Sequence, residues 1–195
     1  MNNRLKKKNS IILSALKLFS QNGFYNTSIA NISKSIGISV GGIYGYFPSK
    51  KELAKASIVF VTKKLAYKLN EINKKNITQR EKIGQFAGFY FDFIEKHPEM
   101  IDYFFRVYLA NRELFCDEDD CGFSLAKDFV DEIENLINKG IENGEFKKQN
   151  FYVAFSCITG ILGSMTFLNG EKVLSSQPNI YCEDISNAIY NALSV

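Results

Sequence analysis

Residues Thr27–Leu53 read TSIANISKSIGISVGGIYGYFPSKKEL, and the spacing inside this stretch decides the fold. Ile29, Ile32 and Ile36 recur at intervals of three and four, which puts them on one side of a short helix. Thr27 or Ser28 offers the oxygen that caps its first turn. Gly37 breaks the helix, and Ser39 caps a second one expected from Val40 to about Phe47, with Ile43 and Phe47 facing inward. Pro48 ends that helix, because a proline ring disfavours the helical conformation of the residue before it. Ser49-Lys50-Lys51-Glu52 then has the pattern of a capping box and opens a long helix that runs to about Glu71. Two short helices joined by a tight turn make a helix-turn-helix.

Working outward, Ile12, Ala15, Leu16 and Phe19 give a first helix over about Leu5–Gln21, stopped by Asn22-Gly23. Downstream the periodicity predicts longer, aromatic-rich helices at about Thr78–Glu95, Glu99–Leu114, Leu125–Asn143, Phe151–Leu168 and Cys182–Leu193. A break at His97-Pro98 and an acidic loop at Asp117–Asp120 separate some of them. The fold class expected is all-α, with about nine helices. Three helices form an N-terminal head, residues 1–49, and a helical bundle follows over residues 50–195. Only three prolines and no Gly/Ser-rich linker interrupt the chain.

Charge separates the two parts. The first 51 residues contain Arg4, Lys6, Lys7, Lys8, Lys17, Lys34, Lys50 and Lys51 and no acidic residue, a charge of +8. The rest holds 16 basic against 21 acidic residues. A basic head on an acidic body is the electrostatic outline of a protein whose N-terminal end meets phosphate. A solvated lysine tail explains Lys6–Lys8 equally well, but not the whole stretch.

Other chemistries find little support. Cys116, Cys121, Cys157 and Cys182 form no CxxC pair or zinc spacing, and the only histidine is His97 at a helix break, so no metal, cofactor or Ser-His-Asp type of enzyme is expected. Cys116 and Cys121 flank the acidic loop, where a redox or metal role is the lesser reading. The N-terminus lacks a secretory apolar run, which points to a cytoplasmic protein with reduced thiols. Residues 149–170 carry no charge, yet Ser156, Thr159, Ser164, Thr166 and the glycines dilute the run. A buried helix is expected there rather than a membrane span.

From Ile12 to Leu53 the sequence resembles the N-terminal domain of the TetR/AcrR family of transcriptional regulators. The shared features are Ala15-Leu16-x-x-Phe19, Gly23-Phe24-x-x-Thr27-Ser28, Gly37-Ile38-Ser39-x-Gly41, Ile43-Tyr44-x-Tyr46-Phe47 and Ser49-Lys50-x-Glu52-Leu53. The resemblance implies a sequence-specific DNA-binding regulator, a ligand-released repressor that meets double-stranded operator DNA as a homodimer. Helix N-termini favour phosphate oxygens, so Thr27, Ser28, Ser39 and Lys50 are candidate backbone contacts. By similarity Tyr44 and Tyr46 hydrogen-bond phosphates; the alternative for either ring is packing inside the head. The chain departs from the family at Ile36, Gly42 and Gly45. With Gly41 and Gly42 bare, base reading falls to Val40 against a thymine methyl, to Asn31 or Lys34, and to DNA shape. Arg4 and Lys6 are candidates for minor-groove contacts.

In the body, Phe86, Phe89, Tyr90, Phe93, Tyr103, Phe104, Phe105 and Tyr108 concentrate aromatic area, for which a plain core is the ordinary explanation. The resemblance implies instead a cavity for an apolar or amphipathic effector, with Phe89, Phe93, Tyr103, Arg106 and Tyr108 as its candidate lining and Asn111 and Arg112 as further polar groups. Ser156, Gly160, Gly163 and Ser164 suit a helix packed closely on another, and with Ile185, Ala188, Ile189 and Leu193 they outline a homodimer seam through the last two helices. A close contact within the chain is the competing explanation. Two rivals from other classes remain at this point: a helical small-molecule binder or enzyme whose basic head reads no DNA, and a DNA packer without sequence preference.

Overall fold

The computed structural model describes residues 3–116 and 122–195, and every regular element in them is helical. The helices are α1 (Asn3–Asn22), α2 (Ile29–Ile36), α3 (Val40–Tyr44), α4 (Lys50–Asn73), α5 (Gln79–Lys96), α6 (Pro98–Tyr103), α7 (Arg112–Phe115), α8 (Gly122–Leu125), α9 (Lys127–Glu142), α10 (Phe151–Gly170) and α11 (Cys182–Leu193). The surplus over the expected nine comes from the third quarter of the chain. The single helix expected at Glu99–Leu114 is divided: α6 gives way to a π-helical turn at Phe104–Tyr108, a 3-10 turn at Leu109–Asn111, and then α7. In the π turn the amide of Leu109 reaches back to Phe104 O, one residue further than in an α-helix. α3 also ends earlier than expected, because beyond Tyr44 the amides of Tyr46 and Phe47 both converge on Ile43 O.

The chain divides into two compact units, Met1–Lys63 with His97–Lys127, and Lys64–Lys96 with Asp128–Val195. The core of the first unit is built on α1, whose Ile11, Ile12, Ala15, Leu16 and Phe19 are buried. Ile32 of α2, Ile43 of α3 and Leu53, Ala54 and Ile58 of α4 complete it. The later segment joins this core through Tyr103, which is fully buried. Its ring lies 5.8 Å from that of Phe19, and its hydroxyl donates to Ala54 O at 2.9 Å. Burial pushes the Tyr103 phenol well above its ordinary pKa, so it stays a neutral donor.

In the second unit α5, α9, α10 and α11 bury Ile83, Phe86, Phe91, Ile133, Leu136, Ala154, Ile158, Leu162 and Ile189. Polar braces hold the helix ends. The carboxylate of Glu145 accepts the Gln79 amide at 2.9 and 3.1 Å, capping α5, and Glu132 accepts from both Asn70 and Asn73 at the end of α4. Tyr90 shares a 2.7 Å hydrogen bond with Thr166. Burial raises its phenol to about 12.

Gly140 shows what a glycine required by packing looks like: a Cβ there would overlap the ring of Phe146, which is itself buried. Gly140→Ala is therefore expected to destabilise the protein by about 1–3 kcal/mol, the usual cost of overpacking. Thermal or urea unfolding checks this, and an unchanged midpoint would refute it.

Candidate nucleic-acid interface

The α1–α2 turn, α2 and α3 are fixed by local chemistry that the sequence spells out. Ser28 is the N-cap of α2. Its hydroxyl accepts from Asn31 N at 3.1 Å, while the Asn31 side chain takes the Ser28 amide at 3.0 Å, a reciprocal capping box. Gly37 closes α2 with φ 67°, a left-handed conformation that favours glycine and sets the turn. Ser39 then caps α3, accepting from Gly42 N at 3.1 Å, and Ser49 accepts from Glu52 N at the same distance to start α4. Ser35 of α2 is hydrogen-bonded to Ser14 of α1.

α3 is anchored from below and open above. Ile43 is 0% and Phe47 4% exposed, whereas Val40 is 40% and Tyr44 48% exposed. Ser39, Gly41 and Gly45 are exposed as well, as are Asn31 and Lys34 on α2. Tyr46 is half-buried, with the Arg4 guanidinium 5.9 Å from its ring centre, and Lys8 sits 5.5 Å from the ring centre of Phe47. The basic start of the chain is thus helical from Asn3 and lies against the end of α3.

Two candidate contacts have internal duties. The hydroxyl of Thr27 donates to Leu18 O and Gly23 O at 3.1 and 2.9 Å, and the residue is 1% exposed. The Lys50 ammonium donates to Phe24 O at 2.9 Å and Thr27 O at 3.0 Å while lying 4.2 Å over the Phe24 ring. Desolvation draws its pKa below the ordinary lysine value. These bonds span 26 and 23 residues, so no local pattern announces them. The one signal available is chemical: an aromatic and turn carbonyls at Phe24–Thr27, and a lysine at the head of a following helix.

The effector candidates fall in both units. In the second, Phe89 and Phe93 stack at 5.7 Å, Phe86 lies 5.9 Å from Phe129, and Lys68 stands 5.8 Å from the Phe89 ring centre. In the first, Tyr103 is committed to the core as described, and Tyr108 lies between Phe104 at 5.0 Å and Phe115 at 5.3 Å. Asn111 donates to Val107 O. The side chains of Phe105, Arg106 and Arg112, and the loop with Asp117–Asp120 and Cys121, lie outside the described residues. Cys116, Cys157 and Cys182 are free thiols. Among the described residues no group of His, Cys, Asp and Glu is arranged to hold a metal ion.

α10 alone among the described helices is long and apolar enough to cross a membrane by length and composition, and 22% of its apolar window is buried. Ala154, Ile158, Leu162 and Met165 form its inner stripe. Val153, Ser156, Gly160, Ser164 and Phe167 form an exposed one, with Tyr152 beside it.

Comparison with known proteins gives the same picture. Residues 11–57 match the family described as bacterial regulatory proteins, tetR family. An uncharacterized HTH-type transcriptional regulator of Bacillus subtilis, YuxN, is 32% identical over 96 residues, 49% of this chain and 33% of that protein, so the match spans a third of the relative's length. Two solved structures share the whole fold. A TetR family transcription regulator from Marinobacter aquaeolei superposes with a TM-score of 0.83 at 16% identity, covering 100% of this chain and 99% of that one. FadR from Bacillus subtilis in complex with stearoyl-CoA superposes with a TM-score of 0.77 at 15% identity, covering 95% and 98%. Residues 11–57 thus match the N-terminal segment of the tetR family of bacterial regulatory proteins, and the helix-turn-helix of α2 and α3 lies within that match.

Proposed function

We propose that the protein is a homodimeric repressor: two N-terminal domains, residues 1–49, occupy successive major-groove faces of a palindromic operator, and a ligand of the remaining chain releases them. The observation that carries this is the outward face of α3, held by buried Ile43 and Phe47 within the first 51 residues, which have a charge of +8 and no acidic residue. Such a helix fits the major groove, and a paired half-site supplies the interface that one short helix lacks.

The residues divide by chemistry. Ser28 and Ser39 offer hydroxyls and helix N-terminal amides to phosphate oxygens, Tyr44 and Tyr46 offer phenols, and Val40 offers an apolar contact to a thymine methyl. Lys34 adds an exposed charge. Thr27 contributes through the turn that its hydroxyl closes. Lys50 uses two of its three N–H groups on that turn and keeps one for a phosphate. Lys50→Ala is expected to weaken binding to every duplex and to lower the slope of log K against log salt by about 0.9, one phosphate's worth. An unchanged slope in a salt titration would remove Lys50 from the interface.

The exposed stripe of α10 supports dimerisation through α10 and α11, since small residues between apolar ones let two helices approach closely. Phe167→Asp is expected to give a monomer in sedimentation and to cost most of the operator affinity; a variant that remains dimeric would reject this seam.

For the ligand, the aromatic group of Phe86, Phe89 and Phe93 in the second unit, with Lys68 beside the Phe89 ring, supports an amphipathic molecule. The likeness to a FadR that binds stearoyl-CoA supports a long-chain acyl thioester. Stearoyl-CoA is therefore the first probe. It should reduce affinity for a duplex enriched by this protein by about 5–150-fold, the range of ordinary allosteric coupling. Unaltered duplex affinity under saturating stearoyl-CoA refutes the ligand class, and turnover of the thioester would favour an enzyme instead.

A further inference from the structure

The buried face of α5 opens on two polar residues. Its inward positions are Gln79, Lys82, Ile83, Phe86, Ala87 and Tyr90 among others, so the apolar core of the second unit ends in a carboxamide and an ammonium just after the turn from α4. Gln79 is 0% and Lys82 5% exposed, and Asn73 at the end of α4 is buried with them. Lys82 Nζ donates to Asn73 O at 3.3 Å, longer than the usual range, and uses one of its three N–H groups there. Desolvation, and after it the charge of Lys139, draw this ammonium below the ordinary lysine pKa, while Glu145 acts in the opposite sense. The side chain of Gln79 fares worse. Neither its Nε2 nor its Oε1 has a hydrogen-bond partner among the described residues, and both are closed to solvent. Asn73 Oδ1 is in the same position, although Asn73 Nδ2 donates to the Glu132 main-chain oxygen and carboxylate at 2.9 Å.

Buried polar atoms are nearly always partnered, because water satisfies them in the unfolded chain and burial without a partner forfeits that. An unpartnered carboxamide beside a weakly bonded ammonium makes this joint costly to keep dry. What shuts it is the packing of Ile72 and Ile83 and a clasp on the main chain, the Gln79 amide donating to both carboxylate oxygens of half-buried Glu145. We infer that the α4–α5 joint is a latch with two states. In the closed state, seen here, Gln79 and Lys82 are packed dry. In the open state the first turn of α5 leaves Glu145 and both side chains take up water, while Phe86 and the rest of the buried face stay packed. Opening gives up one clasp and returns the orphaned groups to water, so the two states lie closer in free energy than the folded and unfolded chains do. Such a joint gives the second unit a conformation that a solute or partner with a preference for it can select.

The test is amide hydrogen exchange on the full-length protein, with thermal unfolding beside it. Exchange is read at Lys82 and Ile83, in the first turns of α5, and at Ile158 and Leu162 in the buried stripe of α10. In the unaltered protein the α5 pair should exchange about tenfold faster than the α10 pair or more, through an opening short of global unfolding. Gln79→Met keeps the volume and removes the carboxamide. It should raise the unfolding midpoint by about 2–4 °C or more, and slow the α5 pair about tenfold relative to the α10 pair. Glu145→Ala removes the clasp and should speed the α5 pair by about tenfold, leaving the α10 pair unchanged. Equal exchange at the two pairs in the unaltered protein overturns the latch. So does a lowered midpoint in Gln79→Met, because the carboxamide would then be bonded in the folded protein. Unchanged exchange of the α5 pair in Glu145→Ala overturns it as well, whatever Gln79→Met does.

Discussion

α3 exists because Ile43 and Phe47 are buried. Five residues cannot sustain a helix in water, where nucleation alone is unfavourable by a factor of about 1000. Gly41 and Gly42 inside α3 and Gly45 at its cap each subtract up to about 1 kcal/mol relative to alanine. Full burial of an Ile or Phe side chain contributes about 1.5–3 kcal/mol, and the Ser39 cap about 1 kcal/mol. Two anchors and one cap therefore outweigh three glycines by a small margin. The exposed face of α3 is one that tertiary packing holds in shape, with few side chains of its own.

Such a scaffold needs its turns held from outside, and Lys50 does this. By donating to Phe24 O and Thr27 O it binds carbonyls at the turn into Ser28, and its ammonium lies over the Phe24 ring. The charge thus lies at the N-terminus of α4, a position electrostatically poor for a cation. The carbonyl dipoles and the aromatic face offset that cost. Thr27 locks the same turn from its other side through Leu18 O and Gly23 O. A residue type that reads as a surface contact is here a structural tie, which takes two of the three donors of its ammonium group.

What could be read in the sequence and what could not divides by distance along the chain. The caps at Ser28, Ser39 and Ser49, the stop at Gly37, and the inward Ile32, Ile43 and Phe47 follow from patterns within four residues, and the structure has them. The reciprocal partner in the α2 box, Asn31 in place of the usual Glu or Gln, is a local feature that the common pattern hides. The contacts of Lys50, the stacking of Arg4 on Tyr46, and Tyr103 reaching Ala54 join residues 23 to 49 positions apart, where periodicity is silent. The π turn at Phe104–Tyr108 is hidden for a different reason: its residues are as compatible with an ordinary helix, and the one-residue change in hydrogen bonding leaves no mark on composition. The helix-turn-helix is thus legible almost entirely, and the lining of an effector site far less so.

α10 poses the remaining question of solvent. A helix without charge over twenty residues satisfies the length and composition of a membrane span, but its two faces are not equivalent. Ala154, Ile158, Leu162 and Met165 are already buried inside the unit, and Thr166 is bonded to Tyr90. The opposite stripe alternates Val153 and Phe167 with Ser156, Gly160 and Ser164. Lipid chains gain nothing from small polar residues and would leave serine hydroxyls only their own backbone for a partner; Ser156 indeed turns back onto Val153 O. A second protein helix gains from the same residues, because Gly160 has open space where a side chain would stand and two backbones can draw close there. Bulk at the ends of the stripe and a bare centre fit a crossing of two helices at Gly160. In a symmetric pair that crossing would bring each Gly160 beside its counterpart, with the flanking Val153 and Phe167 free to pack across.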